Sequence, residues 1–574
     1  MTLKRQHSLL IDTVLLGVVG ALSAQAFMFL LRWSQQFFLV WLAGYQPLSL
    51  MPAGSVGGAE GGAHWLIPVA TTLGGLLAGV IVYSLAPEAE GHGTDAVVKA
   101  YHYQGGVIRT RVPFVKMLAS AITIGSGGSA GREGPTALIS AGIGSWYARK
   151  FGRSEKETRL LMLVGMAAGL SAIFRSPIGT AIFAVEVLYS ETEFESSALV
   201  YTMLGSIVAY AINGFFVGFE PLFQVPATLA VPGAVDYLWY VVLGVAGGLV
   251  ATILPMALYG VRDLFRLIRC PPHFKPAIAG LAMGLIAVAY PQLLGGGYGW
   301  IQAAINGSLA EKLLLILAFG KILTFSLTIG SGGSGGVFAP SLYTGAMVGA
   351  FLSVPCHQPP AAFAVVGMAA VFGAAARVPI ATLLMVTKMT GGYHLLVAAG
   401  LAVILSSLVQ KLLSASLKYK SLYEAQVPSR PYSPSHFVDQ VRIALELLRT
   451  PNLSASLNGR GLELVSLVAS GVPVNLTDEK QIRIGVLRPK SPCVGQPITS
   501  GCLGSKEDVE FILVLRGKCS LWPHADLKLE AGDRLVAVAS EKAWAGLAEH
   551  LDHVAAPGTK VPESHPPVPR PVLP

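Results

Sequence analysis

Charged side chains are scarce in this sequence. Asp, Glu, Lys and Arg make up only 13% of its 574 residues, whereas 53% are hydrophobic and the mean hydropathy is +0.59. A soluble globular protein has about 25% charged residues. So deep a deficit over so long a chain excludes a wholly soluble protein and indicates that most of the surface faces lipid.

Cysteine is also rare. The five cysteines are Cys270, Cys356, Cys493, Cys502 and Cys519, and they form neither a CxxC pair nor a cluster with metal-ligand spacing. Three of them lie in the C-terminal part of the chain, where we expect reduced thiols in a cytosolic domain. The sequence therefore predicts no metal site and no cofactor.

Long basic runs are missing as well, although the formal net charge is +9. Basic residues scattered at the ends of apolar segments are ordinary in membrane proteins, so nucleic acid is not an expected partner. Lys4 and Arg5 precede the first apolar run. By the positive-inside rule this order predicts a cytoplasmic N-terminus.

Long apolar runs are what the sequence has instead. They reach the roughly 20 residues that cross a bilayer, and examples are 9–31, 66–86, 198–218, 236–258, 312–329 and 394–413. Shorter runs at 113–125, 136–148 and 361–375 are interrupted or flanked by Gly and Pro. The first run is long for a signal peptide and many others follow, which favours an uncleaved first span. We predict an all-α polytopic membrane protein.

The apolar character stops near Leu422. We expect a transmembrane domain over 1–425, a polar linker over 426–480 and a small α/β domain over 481–555. The tail at 556–574 is rich in Pro and is predicted to be disordered.

An internal repeat divides the membrane part into halves of about 1–215 and 230–425. Residues 125–135 and 330–340 are identical at seven of eleven positions, and the sequence VGMAA at 164–168 recurs at 366–370. Internal repeats in transport proteins commonly have inverted topology, with the substrate held where broken helices of the two halves meet.

Each repeated segment is rich in Gly and Ser, ends in Pro135 or Pro340 and leads into an apolar stretch. This pattern predicts a loop followed by a helix N-terminus. Inside a bilayer the free N–H groups of such a loop need a partner, and an anion at the helix N-terminus can be one. A single segment would favour tight helix packing through small residues, but two matched copies favour an ion site. A P-loop is excluded because no Gly-Lys-Ser/Thr follows.

These motifs resemble those of the CLC chloride channel and transporter family. Residues 131–135 (GREGP) resemble its GREGP/GKEGP motif, and residues 336–340 (GVFAP) resemble its GxFxP motif. The resemblance implies an inverted repeat of tilted, partial helices and a homodimer with one pore per subunit. It also implies chloride as the bound substrate ion, a place in the plasma (inner) membrane and cytoplasmic termini.

The resemblance assigns roles to individual residues. Glu133 would be the gating glutamate, whose carboxylate competes with the anion. The anion would lie near the hydroxyl of Tyr423 and near backbone N–H groups at the starts of two helices, those of Gly131, Arg132, Val337, Phe338 and Ala339.

The sequence departs from the family pattern at three places. His92 stands where a Ser usually contacts the central anion, and it is either a hydrogen-bonded structural residue or an anion ligand. Val187 follows Glu186 where proton-coupled members often have a second acidic residue. The proton pathway would then include Glu133 and, less directly, Glu186. Lys388 stands where Glu is common, and we have no mechanism for that change.

The C-terminal part resembles the C-terminal domain of RCK/TrkA-type regulators of potassium transport. The residues that carry this resemblance are 511–517 (FILVLRG) and 532–536 (GDRLV). It implies either a module that binds a small regulatory ligand or a passive dimerisation module.

Four functions compete at this point. We expect chloride-selective transport through a glutamate-gated passive channel, mainly because Val187 cannot carry a proton. A chloride/proton antiporter is the alternative. A membrane enzyme would need a convergent set of polar residues, and none is evident, so we expect no enzyme. A cation transporter would want buried carboxylates or carbonyl filters rather than helix N-termini.

Overall fold

The computed structural model describes residues 3–48, 64–226, 229, 232–433, 474–475, 480–489, 491–498, 509–516, 519–521, 527–547 and 550–553. The chain divides into two compact units, Met1–Arg430 and Pro431–Pro574. Most of the predicted linker and the whole Pro-rich tail lie outside the described residues.

The first unit is built from α-helices. Its described residues form sixteen of them: α1 Leu3–Gln35, α2 Ile67–Leu85, α3 Gly93–Tyr103, α4 Arg111–Gly125, α5 Glu133–Lys150, α6 Glu155–Phe174, α7 Pro177–Glu186, α8 Ser196–Val217, α9 Asp236–Leu267, α10 Lys275–Ala289, α11 Tyr298–Ile305, α12 Glu311–Gly330, α13 Phe338–Ser353, α14 Pro360–Ala375, α15 Pro379–Thr390 and α16 Leu396–Ser414. Two short strands, β1 Gly91–His92 and β2 Ser334–Gly335, lie among them.

Eight helical segments within the described residues are long and apolar enough to cross a membrane. The six long runs predicted from sequence each correspond to one of them, and the additional two are Glu155–Phe174 and Pro272–Ala289. In the first of these the most apolar window is 94% buried inside the protein. That helix, α6, therefore lies in the interior of the bundle. The prediction of a polytopic α-helical membrane protein is confirmed.

The repeat is visible in the order of the helices. α4 to α7 and α12 to α15 follow the same plan, and each half packs its second and third helices closely together. Glycines make that packing possible. A Cβ added at Gly144 or Gly345 would strike the main chain of the neighbouring helix, at Leu161 or Gly367. Close packing through small residues, the alternative weighed for the pore segments, holds for these helical glycines.

The second unit contains a sheet in the order β3-β4-β7-β5-β6, with β8 also pairing β4. Its strands are β3 Val474–Asn475, β4 Lys480–Leu487, β5 Val509–Arg516, β6 Cys519–Leu521, β7 Arg534–Ser540 and β8 Leu551–His553, and α17 Glu541–Leu547 follows β7. All described strand pairs in this sheet are antiparallel. The strand-like runs around 511–515 and 535–538 are confirmed as β5 and β7.

Cys493 corrects one expectation. It lies in this unit and is disulfide-bonded, whereas Cys270 and Cys356 in the first unit are free. The expectation of reduced thiols throughout the C-terminal part is therefore wrong for Cys493.

Candidate functional site: the meeting point of the two repeats

The two Gly-rich loops, within 125–135 and 330–340 and called the crossing loops below, lie directly against each other. The N–H of Gly131 donates to the carbonyl of Gly336 at 2.7 Å, and the N–H of Gly336 donates to the carbonyl of Gly131, also at 2.7 Å. Beside them, β1 pairs in parallel with β2. Peptide groups inside a bilayer must find partners within the protein. The loops satisfy each other in this way, and the first-turn N–H groups of α5 and α13 remain available to a ligand.

Glu133 is the first residue of α5, and its side chain is only 2% exposed. The nearest cation is Arg132, whose Nε lies 4.0 Å from the carboxylate. The backbone amides of Glu133 and Ala339 face this carboxylate, although neither makes a hydrogen bond of ordinary geometry with it. A buried carboxylate without such bonds is costly when charged. Protonation or movement would relieve that cost.

The other residues predicted around the anion lie at the same place. Val337, Phe338 and Ala339 are buried at the start of α13. The Phe338 ring packs against the rings of Phe174 and Phe372, with centroids 4.3 and 4.2 Å away. What these three residues offer to an anion is therefore their backbone N–H groups. The Arg132 guanidinium lies over the ring of Tyr298, 4.4 Å from its centroid. The backbone N–H of Arg132, and not its guanidinium, is therefore the group that this residue can offer to an anion at the loop.

His92 and Tyr423 are 331 positions apart in sequence, yet their ring centroids lie 5.5 Å apart. Tyr423 is 2% exposed, and the Thr94 side chain lies close to its hydroxyl. His92 Nε2 lies 3.2 Å from the hydroxyl oxygen of Tyr259. The structure thus brings together the two side chains that the sequence assigned to the central anion, and it adds Tyr259, which the sequence did not indicate.

Two cavities approach this region. The larger, about 750 Å³, is lined by His92 and Gly332 and by both basic and acidic side chains: Lys99, Arg109, Arg262, Arg266, Lys275, Glu88, Glu90, Asp95 and Glu424. The smaller, about 150 Å³, is lined by Arg132, Tyr298 and the glycines 295–297. The two cavities share no described lining residue. The larger cavity includes residues 330–332 of one crossing loop, and the smaller includes Ala130 and Arg132 of the other.

Glu186 has a different environment from Glu133. Its carboxylate accepts hydrogen bonds from the backbone N–H groups of Ile380, at 3.1 Å, and Ala381, at 2.7 Å. These are first-turn donors of α15, so Glu186 caps the N-terminus of that helix. Val187 is fully buried. Lys388, for which the sequence suggested no mechanism, lies over the Tyr210 ring, 5.7 Å from its centroid.

Two buried lysines form a matched pair that the sequence prediction overlooked. Lys116 donates to the carbonyls of Ala89 and Gly91 at 3.0 and 2.6 Å. Lys321 donates to those of Leu293 and Gly295 at the same two distances. A signal was present, because each lysine stands nine residues before the Gly-Ser-Gly-Gly of its repeat. The pairing also identifies 295–297 as the second-half counterpart of 91–93.

Lys116→Met is expected to lower both stability and chloride affinity. The change takes a donor from the carbonyl of Gly91, the residue before His92, at about 1–3 kcal/mol. The carbonyl of Ala89 still accepts from the Ser334 hydroxyl at 3.0 Å. Lys321→Met is the matched control, since it removes the equivalent bonds beside the smaller cavity. The unfolding temperature should fall in both variants, and at least as far in Lys321→Met, which loses the donors of two carbonyls. The chloride affinity measured by calorimetry should weaken clearly only in Lys116→Met. An unfolding curve like that of the unsubstituted protein would contradict the anchoring role.

Comparison with known proteins agrees with this architecture. Residues 74–411 match the family described as "Voltage gated chloride channel". A ClcB-like chloride channel protein of Ralstonia nicotianae is 29% identical over 401 residues, covering 68% of this chain and 90% of the relative. The H(+)/Cl(-) exchange transporter ClcA of Salmonella agona is 31% identical over 377 residues, covering 63% and 78%.

Solved structures share the fold. A slow cyanobacterial Cl-/H+ antiporter superposes with a TM-score of 0.64 at 22% identity, covering 72% of this chain and 96% of the other. A CLC-type fluoride/proton antiporter gives 0.63 at 22% identity, covering 75% and 100%. The family match extends over more than half of the sequence and includes both crossing loops. The chain is an integral membrane protein that belongs to the voltage-gated chloride channel (CLC) family.

Proposed function

We propose that this protein transports chloride across the membrane in exchange for protons. The observation that carries the proposal is the Glu133 carboxylate. It is buried beside the amide of Ala339 at the start of α13, and it has no ordinary hydrogen bond from the described residues. A chloride ion and a carboxylate are both anions that favour a helix N-terminus. They would compete for this place, so that the protonation state of Glu133 governs access of chloride.

Chloride would be held mainly by backbone N–H groups and not by a fixed cation. Gly131 and Arg132 precede α5, while Val337, Phe338 and Ala339 open α13, and His92 and Tyr423 flank the inner side. The two lysine amines are occupied by backbone carbonyls, and the Arg132 guanidinium lies over Tyr298. Partial charges of this kind attract an anion and still allow it to leave. No catalytic residue is involved, and chloride is the substrate ion.

Exchange is favoured over the passive channel that Val187 suggested. The Salmonella agona relative is named as an exchange transporter and aligns over most of its own length. Both structural neighbours are antiporters. The missing carboxylate at Val187 does not close the inner route, because the larger cavity reaches His92 and can admit water that carries protons.

The deciding experiment uses purified protein in liposomes with equal chloride on both sides and an imposed pH difference. Exchange predicts that chloride moves until its gradient opposes the proton gradient, and that the zero-current potential shifts with pH. A channel would instead reverse at the chloride equilibrium potential whatever the proton gradient. That outcome would show that the protein is a passive chloride channel and not an exchanger.

We also propose a domain plan. Residues 1–425 would form the transport domain, 426–480 a linker and 481–555 an RCK/TrkA-C-like regulatory domain that binds a small ligand or pairs with a second copy. The protein would act as a homodimer with one pore per subunit in the plasma (inner) membrane, with both termini cytoplasmic.

Ending the chain after Arg430 tests the regulatory role. Every residue proposed for the pathway lies in the first compact unit, so the shortened protein should still catalyse chloride flux in liposomes. Its size on chromatography should remain that of a dimer. A shortened protein that is well folded but without flux would show that the second unit takes part in transport itself.

A further inference from the structure

The hydrogen bonds of Tyr259 determine where its single hydroxyl proton lies. The hydroxyl oxygen is 2.7 Å from the carbonyl oxygen of Leu422. A carbonyl can only accept, so the proton of Tyr259 is donated there. The same oxygen is 3.2 Å from His92 Nε2. Tyr259 has no second proton to give, and the bond between the two side chains therefore requires a proton on Nε2.

A neutral imidazole carries one proton, so a proton on Nε2 leaves Nδ1 bare. Nδ1 of His92 is buried and has no hydrogen-bond partner among the described residues, and the residue as a whole is 9% exposed. A bare ring nitrogen presents a lone pair, which repels an anion. The same nitrogen becomes a charge-assisted donor once it is protonated.

We propose that Tyr259 is a positioning residue that makes chloride binding at His92 require a proton. Neutral His92 presents an acceptor and disfavours chloride, whereas protonated His92 presents a donor and a positive charge. Chloride and one proton would therefore bind together at the inner end of the pathway. This inference rests on the proposed chloride transport, and it places a proton acceptor near the inner side, where Val187 offers none.

The charges around His92 fit this linkage. Around His92 and its partner Tyr259 lie two cations, two carboxyls and two phenols: Lys116, Arg262, Asp95, Glu424, Tyr259 and Tyr423. Burial of the ring opposes a positive charge on it most strongly, and both cations add to this. Asp95 accepts from the N–H of Ala425, and Glu424 is paired with Arg262. Neither carboxylate is thus free to serve His92, and an incoming chloride would supply the missing counter-charge.

The first test reads the tautomer directly. Protein with Glu133→Gln, which removes the other titrating group of the pathway, is labelled with ¹⁵N in histidine, and His92→Ser in the same background identifies the signal. At neutral pH without chloride we expect the Nδ1 resonance of an unprotonated ring nitrogen, and saturating chloride should convert it to that of a protonated one. A protonated Nδ1 before chloride is added would overturn the inference.

The second test measures proton uptake on chloride binding, by calorimetry in buffers of different ionisation enthalpy. The Glu133→Gln protein should take up one proton per chloride, and adding His92→Ser should abolish the uptake. Adding Tyr259→Phe frees the ring to carry its proton on Nδ1. Chloride affinity at neutral pH should then rise about tenfold, the value of one ordinary hydrogen bond, and proton uptake should fall. Unchanged affinity and uptake in a folded Tyr259→Phe protein would contradict the role of Tyr259.

Flux measurements separate this inference from the function beneath it. If the unsubstituted protein carries no chloride in liposomes, the proposed transport fails. If it transports chloride and the Glu133→Gln protein binds it without proton uptake, only the role of His92 and Tyr259 fails.

Discussion

Glu133→Gln is expected to abolish proton movement while chloride flux persists. Gln has nearly the shape of Glu but can neither ionise nor carry a proton along the pathway. Without a carboxylate competing at the starts of α5 and α13, chloride can occupy those N–H groups at every pH. In liposomes we expect no proton flux above background and a chloride flux within about tenfold of the unsubstituted rate, a barrier change of about 1.4 kcal/mol. The pH dependence of the chloride flux in this variant should be reduced to the part that His92 contributes.

Glu186→Gln is the matched control, because Glu186 is an equally buried carboxylate with a different environment. Both of its oxygens accept backbone N–H groups of α15. An amide offers one acceptor oxygen and places an N–H₂ group against a donor, so this variant should lose about 1–3 kcal/mol of stability. Its coupling should be unchanged. Loss of coupling in Glu186→Gln would place that residue in the proton pathway, and retained coupling in Glu133→Gln would remove Glu133 from it.

The sequence allowed the overall architecture to be predicted because its signals are local or repeated. Hydrophobic runs of bilayer length need no tertiary information to be recognised, and the six predicted runs correspond to helical segments of the structure. The crossing loops could be anticipated because residues 125–135 and 330–340 repeat each other. Two copies of one motif, each at a helix start, imply a shared site even before their contact is known.

Other parts of the site depend on contacts between distant segments and could not be predicted. Nothing near Tyr259 in the sequence points to His92 or to the carbonyl of Leu422, since the three come from separate parts of the chain. The partner of Glu186 lies about 194 positions away, at the start of α15. The preference for a passive channel had the same weakness. It rested mainly on Val187, which cannot carry a proton, whereas the cavity that reaches His92 and can admit water is visible only in the fold.

Gly336→Ala is expected to destroy the pathway through the smallest possible change. A Cβ added at Gly336 would lie 2.8 Å from the backbone nitrogen of Gly134 and 2.9 Å from the carbonyl oxygen of Gly131. Both are main-chain atoms of the opposite loop and cannot rotate aside, so the loops must separate. The reciprocal bonds between Gly131 and Gly336, both 2.7 Å, would then be lost. We expect the free energy of unfolding to fall by about 1–3 kcal/mol from overpacking and by about 1 kcal/mol for each lost hydrogen bond.

Gly260→Ala separates this effect from the general consequence of replacing a membrane glycine. Gly260 lies within α9, and a Cβ there meets no heavy atom of the other described residues within 4 Å beyond the backbone of its own helix. Alanine in a helix should stabilise that variant by up to about 1 kcal/mol. The unfolding temperature should therefore fall in Gly336→Ala and rise in Gly260→Ala. Only Gly336→Ala should lose chloride binding and flux. The short distances from the added Cβ to main-chain atoms require that loss. If Gly336→Ala transports chloride at the rate of the unsubstituted protein, the two loops do not meet as described. The proposed site at the starts of α5 and α13 would then have to be abandoned.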